Sequence, residues 1–203
     1  MKRLFLIMLV MLNVLAFQAK DIREIWLSMP DSLILYLDKS KRIEMVDYID
    51  MKVRADVKNA LEGMSIMDTL THDYLQVTLN EASTLQMRTL PMENGDTVFC
   101  LVRTYRGPQA ESEVSIYGQD WQKVRQLSFP SATFISKPDT MSDATFAELR
   151  RLVDVLLIEA RLSVDDNTLT LSASPMYLNK DEMKRVFAIL PSRILRWDGK
   201  DFQ

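Results

Sequence analysis

One cysteine, one histidine and five glycines stand in a chain of 203 residues. That inventory excludes a multi-histidine zinc site, a cysteine cluster and a disulfide-stapled core. It also excludes a glycine-rich phosphate loop. No G-x-S-x-G elbow is present. No run of five like charges occurs, and Asp+Glu (28) outnumber Lys+Arg (25). Nucleic-acid binding needs a concentrated basic face, so that class is set aside. No apolar run reaches the ~18–20 residues that cross a membrane as a helix.

What is present begins with a leader. Lys2 and Arg3 precede an apolar run from Leu4 to Phe17 that only Asn13 interrupts. A charged start, a short apolar middle and the small residues Ala16 and Ala19 match a secretory signal. Residues 1–19 are therefore read as a signal peptide, with the cut inside Leu15–Lys20. No Cys follows the run, so lipid attachment at a mature N-terminal cysteine is excluded. The expected location is periplasmic or secreted, with no integral membrane anchor once the leader is removed. Without Lys2 and Arg3 the chain holds 23 Lys+Arg against 28 Asp+Glu, a net of −5. Cys100 lacks a partner and sits in the apolar run Val98–Val102, which reads as a buried, inert thiol.

The rest, 20–203, reads as helices first and strands after. Ser28, Pro30 and Asp31 suggest a helix start, with Leu33, Tyr36 and Leu37 on one face. Ser40 suggests a second, with Ile43, Val46 and Ile49 as its apolar stripe. Val53, Val57, Ala60 and Leu61 suggest a third, ending at Gly63. From Tyr74 the period becomes two. Leu75, Val77 and Leu79, then Leu85 and Met87, alternate with polar residues, and Asn80–Ser83 joins them as a hairpin. Thr97–Tyr105 is more continuously apolar and reads as a central strand behind the turn Asn94-Gly95-Asp96. Glu113–Tyr117 is a further strand.

Ser128–Thr140 reads as a connecting loop. A helix follows from Ser142. Arg161–Val164 and Thr168–Ala173 form a hairpin around Asp165-Asp166-Asn167. Asn179–Leu190 reads as a helix striped by Met183, Val186, Phe187 and Leu190, and Arg193–Trp197 as a last strand. The predicted class is α+β, with short helices packed on an antiparallel sheet built from hairpins. A single domain is expected, with two lobes split near 128–140 as the alternative.

Two segments echo each other. Thr84-Leu85-Gln86-Met87 runs to Pro91-Met92, and Thr168-Leu169-Thr170-Leu171 runs to Pro175-Met176. Gly118-Gln119-Asp120-Trp121 is matched by Gly199-Lys200-Asp201-Phe202. Two related halves, or chance among amphipathic strands, account for this. Four stretches carry a wider likeness: Trp26–Leu37, Leu70–Leu75, Asp165-Asp166-Asn167-Thr168-Leu169-Thr170 and Arg196-Trp197-Asp198-Gly199-Lys200. In them the chain resembles an uncharacterised family, a domain of unknown function in exported proteins of gram-negative gut bacteria. That resemblance implies an envelope or secreted location and supplies no activity.

Candidate sites are few. His72 beside Asp73 reads as a loop histidine before a strand, since nothing selects a nucleophile for it. Asp165 and Asp166 read as turn residues rather than a glycosidase pair. Asp68, Asp73 and Asp139 lack the spacing of a calcium loop. No catalytic residue, metal or cofactor is assigned. Ten methionines follow the leader and suit an irregular core or an adaptable pocket. Trp121 and Trp197, beside Gly-containing turns, are the candidate contacts for a ligand or partner. The functional expectation is a non-catalytic binding or accessory protein outside the cytoplasm, with an unidentified protein or glycan as partner. An envelope carrier of an apolar ligand and a hydrolase of envelope polymers are the alternatives. Fractionation of the native cell tests the location: a shortened chain is expected outside the cytosol, and an intact chain in the cytosol would overturn the expectation.

Overall fold

The computed structural model describes residues 19–203. The apolar leader therefore lies outside the described residues. The structure is α+β, with most of its regular structure in two antiparallel sheets.

Asp21 starts the first helix, α1 (Ile22–Leu27), by accepting the Glu24 amide. The helix ends at Leu27 for a local reason. Met29 precedes Pro30, and a residue before proline is disfavoured in the α region. The helix expected from Ser28 is thus replaced. Ser28 is a C-cap, and only a 3-10 turn, Asp31–Leu33, follows. The irregular stretch from Met29 to Leu37 is held by Arg42, a fully buried side chain of α2 (Lys39–Asp50). The guanidinium donates to the carbonyls of Met29 (2.5 Å) and Leu37 (2.9 Å) and to the Asp31 carboxylate (2.8 Å). It also lies 5.9 Å from the Trp26 ring centre. Because Arg42 turns inward, the buried face of α2 is Arg42, Met45 and Val46. Ile43, expected on that face, is exposed.

The helix expected over Val53–Gly63 is a strand and a turn. Lys52 leaves α2 with φ 56°, and β1 (Asp56–Lys58) pairs antiparallel with β2 (Met64–Leu70). Asn59 closes the turn by accepting the amides of Leu61 and Gly63. β-branched Val57 then enters the core as a strand residue. The strands β3 (Tyr74–Asn80), β4 (Ser83–Pro91), β5 (Thr97–Arg106), β6 (Ala110–Gly118) and β7 (Lys123–Leu127) continue a seven-stranded meander in chain order. The expected hairpins at 80–83 and 94–96 are present. β2 and β7, rich in polar residues, were not expected.

The sheet is covered on both faces. Leu75, Val77, Leu79, Leu85, Met87 and Phe99 meet α1 and α2. Tyr74, Leu90, Val98, Cys100, Val102, Val114 and Ile116 meet a second, three-stranded sheet. That sheet has the order β10-β9-β8, from β8 (Leu156–Leu162), β9 (Thr168–Pro175) and β10 (Arg193–Arg196). β5 therefore buries both faces, which explains its continuous apolar run. α3 (Asp143–Leu152), capped by Ser142 as expected, packs with α4 (Lys180–Val186) around Leu149 and Val186. A 3-10 turn, Phe187–Ile189, ends α4. Its three residues per turn bring Ile189 into the core and leave Phe187, expected there, exposed. The loop at 128–140 contains a 3-10 turn, Ser131–Phe134, that seats Phe134 in the inter-sheet core.

Polar side chains of the large sheet satisfy the small one. Ser112 accepts the Ala160 amide and Gln86 accepts the Leu162 amide, both at 3.0 Å, so β8 is not left with a bare edge. Arg88 of β4 is buried and reaches the β8–β9 turn. It donates to Asn167 Oδ1 (2.9 Å), the Ser163 carbonyl (3.0 Å) and Asp73 (2.8 Å). The echoed motifs take matching places. Pro91 and Pro175 end β4 and β9, and the Gly-containing turns carry Trp121 and Phe202 back onto the two cores.

Two predictions follow from this packing. Arg88→Met strands the Asn167 and Ser163 acceptors in a buried site, so a loss of about 2–4 kcal/mol is expected. Thermal unfolding will show a Tm lower by roughly 5–15 °C. Cys100 is fully buried, and burial pushes its thiol well up from the ordinary value. Iodoacetamide at neutral pH is expected to leave it unmodified in the native protein and to label it in denaturant; native-state labelling at the denatured rate would contradict this placement.

Candidate functional site

The helix-bearing face of the large sheet is covered unevenly. α1 and α2 lie over β2–β4 and Phe99, whereas toward β6 and β7 the same face opens into a pocket of about 130 Å³. The irregular segment after α1 forms one wall through Met29, Leu33 and Ile34. Leu85 and Leu101 form the apolar floor. The remaining lining is polar: Arg103 of β5, Glu113, Ser115 and Tyr117 of β6, and Lys123 of β7. Strand alternation puts these on one face. Arg103 is in register with both Leu85 and Glu113, Leu101 with Ser115, and Tyr117 with Lys123.

The charges of this pocket are not consumed by one another. Arg103 and Glu113 face each other across neighbouring strands, yet among the described residues neither forms an ion pair. Arg103 instead reaches the Leu33 carbonyl at 3.4 Å and lies 5.3 Å from the Tyr105 ring centre. Its Nε is buried without an acceptor. Lys123 donates to Gln126 at 3.1 Å. Burial pushes the Tyr117 phenol above its ordinary value, and the negative charge of Glu113 adds to the effect. The arrangement can bind: it offers donors, one carboxylate and an apolar floor.

Trp121 stands beside the pocket rather than in it. Its ring is 5.7 Å from Tyr117, which lines the pocket, and 4.8 Å from Phe99. Its backbone has φ 66°, an uncommon conformation for a bulky residue. The indole N–H holds it there by donating to the Ile25 carbonyl at 3.0 Å. Trp197 lies elsewhere. Its indole N–H donates to the Pro91 carbonyl at 2.6 Å, and its ring meets Phe202 edge-on at 5.3 Å. The adjoining turn depends on Gly199 (φ 100°), where a Cβ would come within 2.8 Å of Glu93. Backbone amides of Asp201 and Lys200 hold the Asp198 carboxyl below its usual range. The structure thus places the two tryptophans at opposite cores, with Trp121 alone near the pocket.

His72 is exposed beside Lys20, Asp21 and Glu24, and its carbonyl accepts the Ile22 amide. Asp166 accepts the Thr168 hydroxyl at 2.5 Å, which, with Ser163, lowers its carboxyl in the turn expected for it. Asp68 accepts the Thr78 hydroxyl. Among the described residues no group of three His, Cys, Asp or Glu is placed to hold a metal ion, and no helix is long and apolar enough to cross a membrane. Arg42, Arg88, Arg103 and Glu113 carry the polar architecture and were not singled out by sequence. The available signal was a charge at an inward position of an amphipathic element, such as Arg103 directly after Val98–Val102.

Comparisons with known proteins agree on the fold and leave the activity open. No curated protein matches the chain. A solved structure described as "Structure of a domain of an uncharacterized protein from Porphyromonas gingivalis W83" is similar, with a TM-score of 0.73 and 18% identity over 91% of this chain and 99% of that one. At that identity the likeness concerns the fold alone. Residues 14–202 match the family described as "Protein of unknown function (DUF3256)", and the chain belongs to that family.

Proposed function

We propose that this protein is a non-catalytic binding protein working outside the cytoplasm, and that the pocket between the Met29–Leu37 segment and strands β4–β7 is its recognition site. The observation that carries the reading is the unpaired Arg103 and Glu113 above an apolar floor. Opposite charges directly across an antiparallel pair stabilise the sheet when they close on each other. Here the Leu33 carbonyl and the Tyr105 ring draw the guanidinium aside, which leaves both charges for an outside group. The leader of Lys2, Arg3 and Leu4–Phe17 supports the extracytoplasmic part of the proposal.

Size favours a small occupant. An interior cavity of about 150 Å³ takes up benzene, so a pocket of about 130 Å³ suits a compact group rather than a long acyl chain. The polar cleft between the sheets offers less. There Gln86 already donates to Tyr74 and Gln76, and Arg161 pairs with Glu159. Trp121 takes part by holding Tyr117 and α1 in place.

Native mass spectrometry of the purified chain after incubation with an envelope extract tests the proposal. An added mass is expected on the wild-type protein and its loss in Arg103→Glu, a variant whose fold circular dichroism can verify. Bare polypeptide mass throughout would overturn the reading.

A further inference from the structure

Resting on the binding reading above, we infer that the ligand is a free α-amino acid with a compact apolar side chain. Three chemical demands meet in one place. Leu85, Leu101 and Ile34 ask for an apolar group, and the pocket volume of about 130 Å³ admits one of leucine size. Arg103 asks for an anion. Of its five N–H donors one reaches a protein acceptor, the Leu33 carbonyl at the long distance of 3.4 Å, and Nη2 has none. Glu113 asks for a cation, since no protein donor or charge closes on it among the described residues.

The two charges are fixed one strand apart. Residues directly opposite on antiparallel strands have Cβ atoms about 4.5–5.5 Å apart. A ligand bridging Arg103 and Glu113 must therefore carry its own opposite charges close together. The α-ammonium and α-carboxylate of an amino acid share one carbon and meet that condition. The carboxylate takes charge-assisted bonds from the guanidinium, and the ammonium gives them to Glu113. Lys123, on the β7 side, adds positive charge that favours the carboxylate. The side chain then falls toward Leu85 and Leu101. A peptide lacks one of these charges at either end, and a fatty acid lacks the ammonium.

Isothermal titration of the purified chain with L-leucine, isocaproate (no ammonium) and isoamylamine (no carboxylate) tests the assignment. Leucine is expected to bind at least about tenfold more tightly than either analogue. Glu113→Gln, at an exposed position, is expected to bring leucine down to the affinity of isocaproate. Arg103→Gln is expected to bring it down to that of isoamylamine. Equal or tighter binding of isocaproate by the wild-type protein would overturn the zwitterion assignment and spare the binding site. No binding of all three, with an Arg103-dependent added mass still present from extract, would overturn the ligand class alone. No binding and no added mass would overturn both.

Discussion

A single buried guanidinium organises the helical side of this molecule. Arg42 carries its charge into a site fully closed to solvent, where an unpaired charge is untenable. It survives there because the segment from Met29 to Leu37 presents two carbonyls and the Asp31 carboxylate to it. The dependence is mutual. That segment has Pro30 and no regular hydrogen bonding of its own beyond one 3-10 turn, so its carbonyls need a donor. The resulting loop packs Met29, Ile34 and Leu37 into the core and puts Leu33 against Arg103. The pocket wall is thus a consequence of Arg42.

The same logic recurs on the other face. Arg88 crosses from β4 to the β8–β9 turn, where Asn167, Ser163 and Asp73 satisfy it. Ser112 and Gln86 occupy two amides of β8. Hydrophobic burial supplies the cohesion of the two sheets, and these directional contacts set which register of one lies over the other. Polar groups in the core are specific because leaving any one unpaired is costly. The Asp165-Asp166-Asn167 turn is therefore more than a reversal of direction. Its Asn167 is one end of the inter-sheet clamp.

Periodicity made much of the fold legible. The hairpin of β3 and β4, the central β5, the helix capped at Ser142 and the last strand all follow from alternation, capping chemistry and turn residues. Misreadings arose where a distant partner outweighed the local pattern. Ser28 looks like a helix start and serves as a helix end, because α1 comes before it. Val53–Gly63 has helical spacing, yet pairing with β2 places Val57 better as a strand residue. Ile43 and Phe187 lie on expected stripes and face solvent, because Arg42 and a 3-10 turn rotated the faces. Of the candidate contacts, Trp121 stands next to the pocket and Trp197 serves the opposite core.

Sequence by itself determined the α+β class, the antiparallel hairpins and the isolation of Cys100 within an apolar strand. These are local matters, decided by side-chain period and turn chemistry within a few residues. Tertiary structure alone decided that Leu33 and Arg103, 70 positions apart, share a wall, and that Arg103 and Glu113 face each other without joining. Strand register and the path of an irregular loop depend on contacts that no short window contains. A charged side chain reveals its partner, or its want of one, only once the chain has closed around it.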